Sequence, residues 1–162
     1  MNTGDETTSP AGTALVQRLF GDVFNGRALE ALDDIVAVDY HEHALAPFED
    51  VEPGLVDGPA HMRHVVEWLL AQFPDLTMDI LETTSDSASV AVRVRSEGTN
   101  RGPLNGFLPP TGRRFSAEQA HWYRVVDGRL AEHWAVRDDL RTMVQLGVVA
   151  RPGPAGQSGR RP

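Results

Sequence analysis

The hydrophobic positions of this 162-residue chain change their period partway along, from helical spacing to strict alternation. Leu15, Leu19, Phe20 and Val23 recur every three or four residues and predict a helix over Ala14 to Phe24. Asn25-Gly26 ends it. Leu29, Leu32 and Ile35 predict a short second helix over Ala28 to Asp34. Val36 to His43 reads as extended, with Asp39, His41 and His43 on one side and Tyr40 and Glu42 on the other. Ala44 to Val56, with Pro47, Pro53 and Gly54, reads as an acidic loop long enough to act as a lid. Asp57-Gly58-Pro59 reads as a helix start, with Asp as the cap and Pro in the first turn. Met62, Val65, Val66, Leu69 and Phe73 make that helix's apolar stripe, and Pro74 stops it.

The second half alternates. Thr77 to Thr84 and Ser87 to Gly98 predict two strands joined near Ser85-Asp86, with Val90, Val92 and Val94 facing one way and Arg93 and Arg95 the other. Asn100 to Gly112 is a loop rich in Gly and Pro, and Arg114 to Val126 is the next strand. Asp127-Gly128 then predicts a hairpin, because a tight two-residue turn needs positive φ. In such a turn Val126 opposes Arg129. Gln119, His121, Tyr123 and Val125 then share a face with Leu130, Glu132, Trp134, Val136 and Asp138. The opposite face carries more charge and pairs Glu118 with Arg137, so the first face is expected to turn inward. A short helix with Leu140, Met143 and Leu146 follows, stopped by Gly147. Helices first and a meander of strands afterwards indicate an α+β fold. Residues 1–11 read as a disordered lead, 12–149 as one domain, and 150–162, all Gly, Pro, Arg, Ser and similar residues, as a disordered tail.

Composition narrows the function. The net charge of −8 argues against a nucleic-acid backbone as partner. The chain has no cysteine, which excludes a disulfide framework, a thiolate nucleophile and Cys-ligated zinc. All its basic residues are Arg, so no Schiff-base lysine exists. No apolar run reaches the roughly 20 residues of a membrane span. The polar Met1 to Ser9 does not read as a secretory signal, so the cytoplasm is the expected location.

The predicted inner face is apolar with Gln119, His121, Glu132 and Asp138 embedded in it. Buried polar groups need partners or a ligand, so the face reads as the wall of a small-molecule pocket. Asp138, at the end of a strand beside Trp134, is the candidate for proton transfer, with capping of the last helix as the plain alternative. His121 reads as either a core histidine or a pocket group, and Gln119 as a substrate hydrogen-bonder. Glu132 reads as a group that holds His121, and His43 as lining the pocket mouth. His41 and His43 form at most half a metal site, with no third ligand at matching spacing, so no metal is expected. His61 and His64 read as the solvated side of their helix.

Glu132, Trp134, Asp138 and the ending Gln145-Leu146-Gly147 resemble the SnoaL-like polyketide cyclases of the NTF2-like superfamily. Phe73-Pro74-Asp75-Leu76, Gly98-Thr99 and Pro110-Thr111-Gly112-Arg113 resemble the same family's other signposts, and together they span roughly residues 13–149. The family often has His after Gly-Thr, where this chain has Asn100. The resemblance implies a cone-shaped, strongly curved, mostly antiparallel sheet closed by the N-terminal helices over a pocket. It implies Asp138 as the general acid/base. The predicted facing of the strands adds His121 as a second catalytic group, with Gln119, Trp134, His43, Tyr123, Glu132 and Phe73 around the substrate. The resemblance also implies cofactor-free intramolecular aldol ring closure of a polyketide-like intermediate, and a homodimer. Two alternatives stand beside it. One is epoxide opening, hydration or isomerisation in the same pocket. The other is a non-catalytic ligand-binding or dimerisation module.

Overall fold

The computed structural model describes residues 11–44, 53–151 and 153. The predicted lead other than Ala11, most of the predicted lid and most of the predicted tail lie outside the described residues. Helix α1 (Ala11–Gln17) begins earlier than its apolar spacing suggested and continues, wound more widely, through Arg18–Asn25. Its start is fixed by packing: Gly12 is buried against Val90 and Val125, where a larger residue would collide. A single turn, Leu29–Ala31, leads into the short α2 (Leu32–Ile35). Asp57 caps α3 (Gly58–Gln72) as its sequence requires, accepting from the Ala60 amide at 3.1 Å.

Six strands form one mixed sheet: β1 (Val36–Glu42), β2 (Gly54–Asp57), β3 (Thr77–Ser85), β4 (Ser89–Thr99), β5 (Arg114–Val126) and β6 (Arg129–Arg137). Their order is β2-β1-β6-β5-β4-β3. Every neighbouring pair is antiparallel except β1 with β6. Strand β2 forms from residues whose sequence reads as the end of the loop before α3. Phe20, Val23, Phe24, Leu32 and Ile35 close a core with the inward Val90, Val92 and Val94, between the helices and one face of the sheet. Helix α4 (Asp139–Leu146) ends at Gly147, whose φ of 77° is the left-handed stop expected from the sequence.

One irregularity overturns the predicted hairpin. Val126 opposes Arg129 and Val125 opposes Leu130, as a two-residue turn requires, but Arg124 then opposes Glu132. Ala131 is therefore an extra residue in β6. A bulge reverses the facing of everything beyond it. His133 and Arg137 turn inward with His121 and Gln119, while Glu132, Trp134, Val136 and Asp138 turn outward. Arg137 thus leaves the predicted exposed pair with Glu118. Glu118 instead bridges Arg93 and Arg95 of β4, at 2.8 and 3.3 Å.

Candidate active site

A cavity of about 330 Å³ opens between the concave face of the sheet, α3 and α4. Its apolar wall includes Phe20, Met62, Leu69, Phe73, Phe115 and Met143. That volume lies within the range of small-molecule sites.

Buried polar groups cross this wall in one continuous chain. Glu42, at the end of β1, faces inward because it is in step with the buried Tyr40. Its carboxylate accepts from Nδ1 of His133 at 2.9 and 3.1 Å and from the Ala44 amide at 2.7 Å. His61, on the first turn of α3, approaches it to 3.5 Å. Nε2 of His133 lies 2.9 Å from Nδ1 of His121, and Nε2 of His121 lies 3.1 Å from Oε1 of Gln119. Tyr123 stacks on His133, with ring centroids 4.7 Å apart. Four strand residues and one helix residue are thereby joined: Glu42 from β1, Gln119 and His121 from β5, His133 from β6, and His61 from α3.

Burial and partners set the protonation of this chain. Desolvation pushes the Glu42 carboxyl up, but hydrogen bonds from His133, His61 and the Ala44 amide outweigh it and hold it at about 2. Glu42 is thus a fixed anion. Desolvation, then the neighbouring His133 and Arg137, hold His121 well below the usual histidine value. His121 is thus neutral. With Glu42 charged, Nδ1 of His133 must donate. With an N–H at Nε2, His121 donates to Oε1 of Gln119 and accepts at Nδ1 from Nε2 of His133. With one proton fewer, His121 donates at Nδ1 instead, and its Nε2 lone pair is free once the Gln119 carbonyl turns away.

The predicted site residues divide between the two sides of the sheet. His121, Gln119, Tyr123 and Phe73 line the cavity as expected. Glu132, Trp134, His43 and Asp138 do not. His43 stacks on Trp134 at 4.4 Å, on the convex side, and bonds Glu132 at 3.1 Å. Glu132 also pairs there with Arg124 at 2.9 Å, so it does not hold His121. Asp138 is exposed and accepts from the Arg141 amide at 3.0 Å as the cap of α4. Asp139, the next residue, lines the cavity and pairs with Arg137 at 3.5 Å. His61 and His64, read as solvated, also line the cavity.

The sequence reading gives no site role to Glu42, His61 or His133. Glu42 was detectable from its step with Tyr40. His133 was not, since its direction depends on the bulge.

The loop from Asn100 to Gly112 closes one end of the cavity. Asn100 is fully buried and acts as its clamp. Its side chain donates to the carbonyls of Gln72 and Gly102 and accepts from the Thr111 amide at 2.8 Å. A Cβ at Gly102 would collide with the Ala71 carbonyl, so only glycine lets the loop pass this close to α3.

Comparison with known proteins agrees with this architecture. The family profile described as SnoaL-like polyketide cyclase matches residues 14–146. Nogalonic acid methyl ester cyclase of Streptomyces nogalater is 31% identical over 125 residues, covering 76% of this chain and 89% of that one. Aklanonic acid methyl ester cyclase DnrD of Streptomyces peucetius is 34% identical over 106 residues, covering 61% of this chain and 72% of that one. The crystal structure of wild-type IdmH from Streptomyces antibioticus superposes with a TM-score of 0.72 at 30% identity, covering 84% of this chain and 98% of that one.

Proposed function

Because this chain belongs to the SnoaL-like polyketide cyclase family, we propose that it closes a ring by intramolecular aldol reaction, with His121 as the proton-transfer group. The proposed substrate is a methyl ester of a polyketide acid, the class that the cyclases from Streptomyces nogalater and Streptomyces peucetius are named for.

The supporting observation is the hydrogen-bonded chain from Glu42 through His133 to His121, which ends at the cavity wall. With the Gln119 side chain turned from His121 to the substrate, a carbon flanked by two carbonyls releases its proton to the freed lone pair at Nε2 of His121. The Nδ1 proton of His121 passes to Nε2 of His133, and the positive charge comes to rest beside the Glu42 carboxylate. The carbanion forms a carbon–carbon bond to a carbonyl of the same molecule, whose oxygen becomes an alkoxide. That alkoxide recovers the proton through the same relay in reverse. Atoms balance without oxidant or cofactor. The apolar wall folds the substrate so that its two reacting carbons meet, which removes most of the entropic barrier. Gln119 sits where its amide can hold the enolate oxygen.

Incubation with aklanonic acid methyl ester tests this reading. The expected product has unchanged mass and one more ring. A product heavier by one water, or one that takes oxygen from labelled water, would replace aldol closure by hydration or epoxide opening. Recovery of the ester unchanged would leave only a binding role.

We also propose a homodimer through the convex face of the sheet, and a cytoplasmic location. Trp122, 42% exposed, lies opposite Trp134 there, with the exposed Val136 on the same strand face. Such an aromatic patch suits the centre of an interface. Among the described residues no helix is long and apolar enough to cross a membrane.

A further inference from the structure

The end of the cavity away from the relay holds a polar group that the chemistry above does not use. Asn105 lines the cavity, and its side-chain amide nitrogen is buried without a hydrogen-bond partner. An unpaired buried donor is costly and uncommon in a native fold, and at a cavity wall it is open to an acceptor on a bound ligand.

Asn105 is also held in place. Its backbone φ is 52°, and Gly106 after it has a φ of 77°, so the pair makes a left-handed turn between Leu104 and Phe107. Gly, Asn and Asp tolerate that region better than most residues do. The backbone N–H of Asn105 donates to Oε1 of Gln72 at 2.7 Å, and Nε2 of Gln72 donates to the Trp68 carbonyl. Gln72 is buried, so the turn is fastened to the last turn of α3.

That fastening fixes a distance. His61 touches Glu42 near the start of α3, and Gln72 holds Asn105 at its end. Eleven residues separate them along one helix, about 16 Å at ~1.5 Å per residue. Glu42, at the buried end of the relay, and Asn105 are therefore held near opposite ends of one helix.

We propose that Asn105 is a specificity-determining residue, donating a hydrogen bond to a carbonyl or ester oxygen at the end of the polyketide remote from the reacting carbons. The assignment presupposes the substrate class proposed above. Asn105 acts by anchoring and takes no part in proton transfer. A substrate too short to reach from the relay to this turn forgoes the bond.

The test is a titration of the wild type, Asn105→Gly and Asn105→Asp with aklanonic acid methyl ester. Quenching of the cavity-lining Trp68 reports Kd, and turnover is measured in the same samples. Both substitutions suit positive φ, and circular dichroism checks that each variant is folded. Asn105→Gly should raise Kd and KM together by roughly 3- to 10-fold, the effect of one lost hydrogen bond, with kcat within about twofold. Asn105→Asp should raise them further, since a carboxylate repels a carbonyl oxygen. His133→Gln provides the opposite split, a fall in kcat with Kd retained. Unchanged Kd and KM in both Asn105 variants would overturn the proposal and leave ring closure standing. Binding that depends on Asn105, without turnover by the wild type, would sustain the proposal and sink ring closure. Failure of the wild type to bind the ester would overturn both.

Discussion

Nδ1 of His121 and Nε2 of His133 lie 2.9 Å apart in the protein interior, although the turn between their strands would by itself put the two rings on opposite faces of the sheet. The extra residue at Ala131 brings them together. This pairing makes the relay testable one residue at a time. His121→Asn should lower kcat by about 10²- to 10⁴-fold, the usual effect of losing a general base. Glu42→Gln should also lower it, by leaving the charge on His133 without its anion. Steady-state kinetics decides, and a His121→Asn rate near wild type would remove the relay from the mechanism.

The two adjacent carboxylates at the start of α4 should behave differently. Asp138→Asn should leave turnover unchanged and shift stability by less than about 0.5 kcal/mol, because Asn caps a helix about as well as Asp. Asp139→Asn, altering a group at the cavity, should cost activity by less than roughly 10-fold if His121 carries the proton, well short of the loss of a general base. A much larger loss in Asp139→Asn, paired with a mild effect of His121→Asn, would transfer the role to Asp139.

Stability should fall on acidification. The fold holds His121 well below the ordinary 6.5, so below that pH the unfolded chain takes up a proton that the folded one refuses. The fold also lowers Glu42 from 4.5 to about 2. Its contribution is complete above pH 4.5 and is lost as the pH falls from there toward 2. Both effects have the same sign. Urea midpoints measured at pH 8, 6 and 4 should decrease in that order, and Glu42→Gln should flatten the lower step. A midpoint that rises between pH 6 and 4 would contradict the assignment.

Deletion of Ala131 should restore simple alternation along β6. Leu130 and His133 would then stand two positions apart on one face, so His133 would stay opposite Tyr123 and keep its bond to Glu42. Tm should therefore change by only a few degrees. Leaving the buried Glu42 carboxylate without its partner would instead cost about 3 kcal/mol or more, roughly 10 °C in Tm for a domain of this size. Differential scanning calorimetry distinguishes the two, and a fall of that larger size would show that the bulge itself, and not the register beyond it, holds His133 in place.

If the convex face joins two copies, Trp122→Arg should dissociate them, since opposed cations at the centre of an interface repel. Sedimentation velocity at micromolar concentration should show a dimer for the wild type and a monomer for the variant. A monomeric wild type would end the idea.

The amino-acid sequence by itself determined most of the elements and the α+β class. Helical spacing marked α3, the Asp57 cap and Pro59 marked its start, and alternation marked β3, β4 and β5. These are local properties, set by side-chain period and by φ at a few turn residues, and neighbouring residues suffice to express them. It also turned His121, Gln119, Tyr123 and Phe73 toward the cavity that they line, because they lie before the bulge or on a strong apolar stripe. The tertiary structure alone decided what stands opposite them. A β-bulge has no clear local signature: Ala131 differs little from any other small residue in a strand. Yet one inserted residue exchanges the faces of all that follow, sending Trp134 and Asp138 outward and His133 inward. The partner of His133 is Glu42, ninety-one positions away, on a strand that joins the sheet in parallel beside β6. Only the assembled sheet brings them within hydrogen-bonding distance, and only burial there fixes their charges.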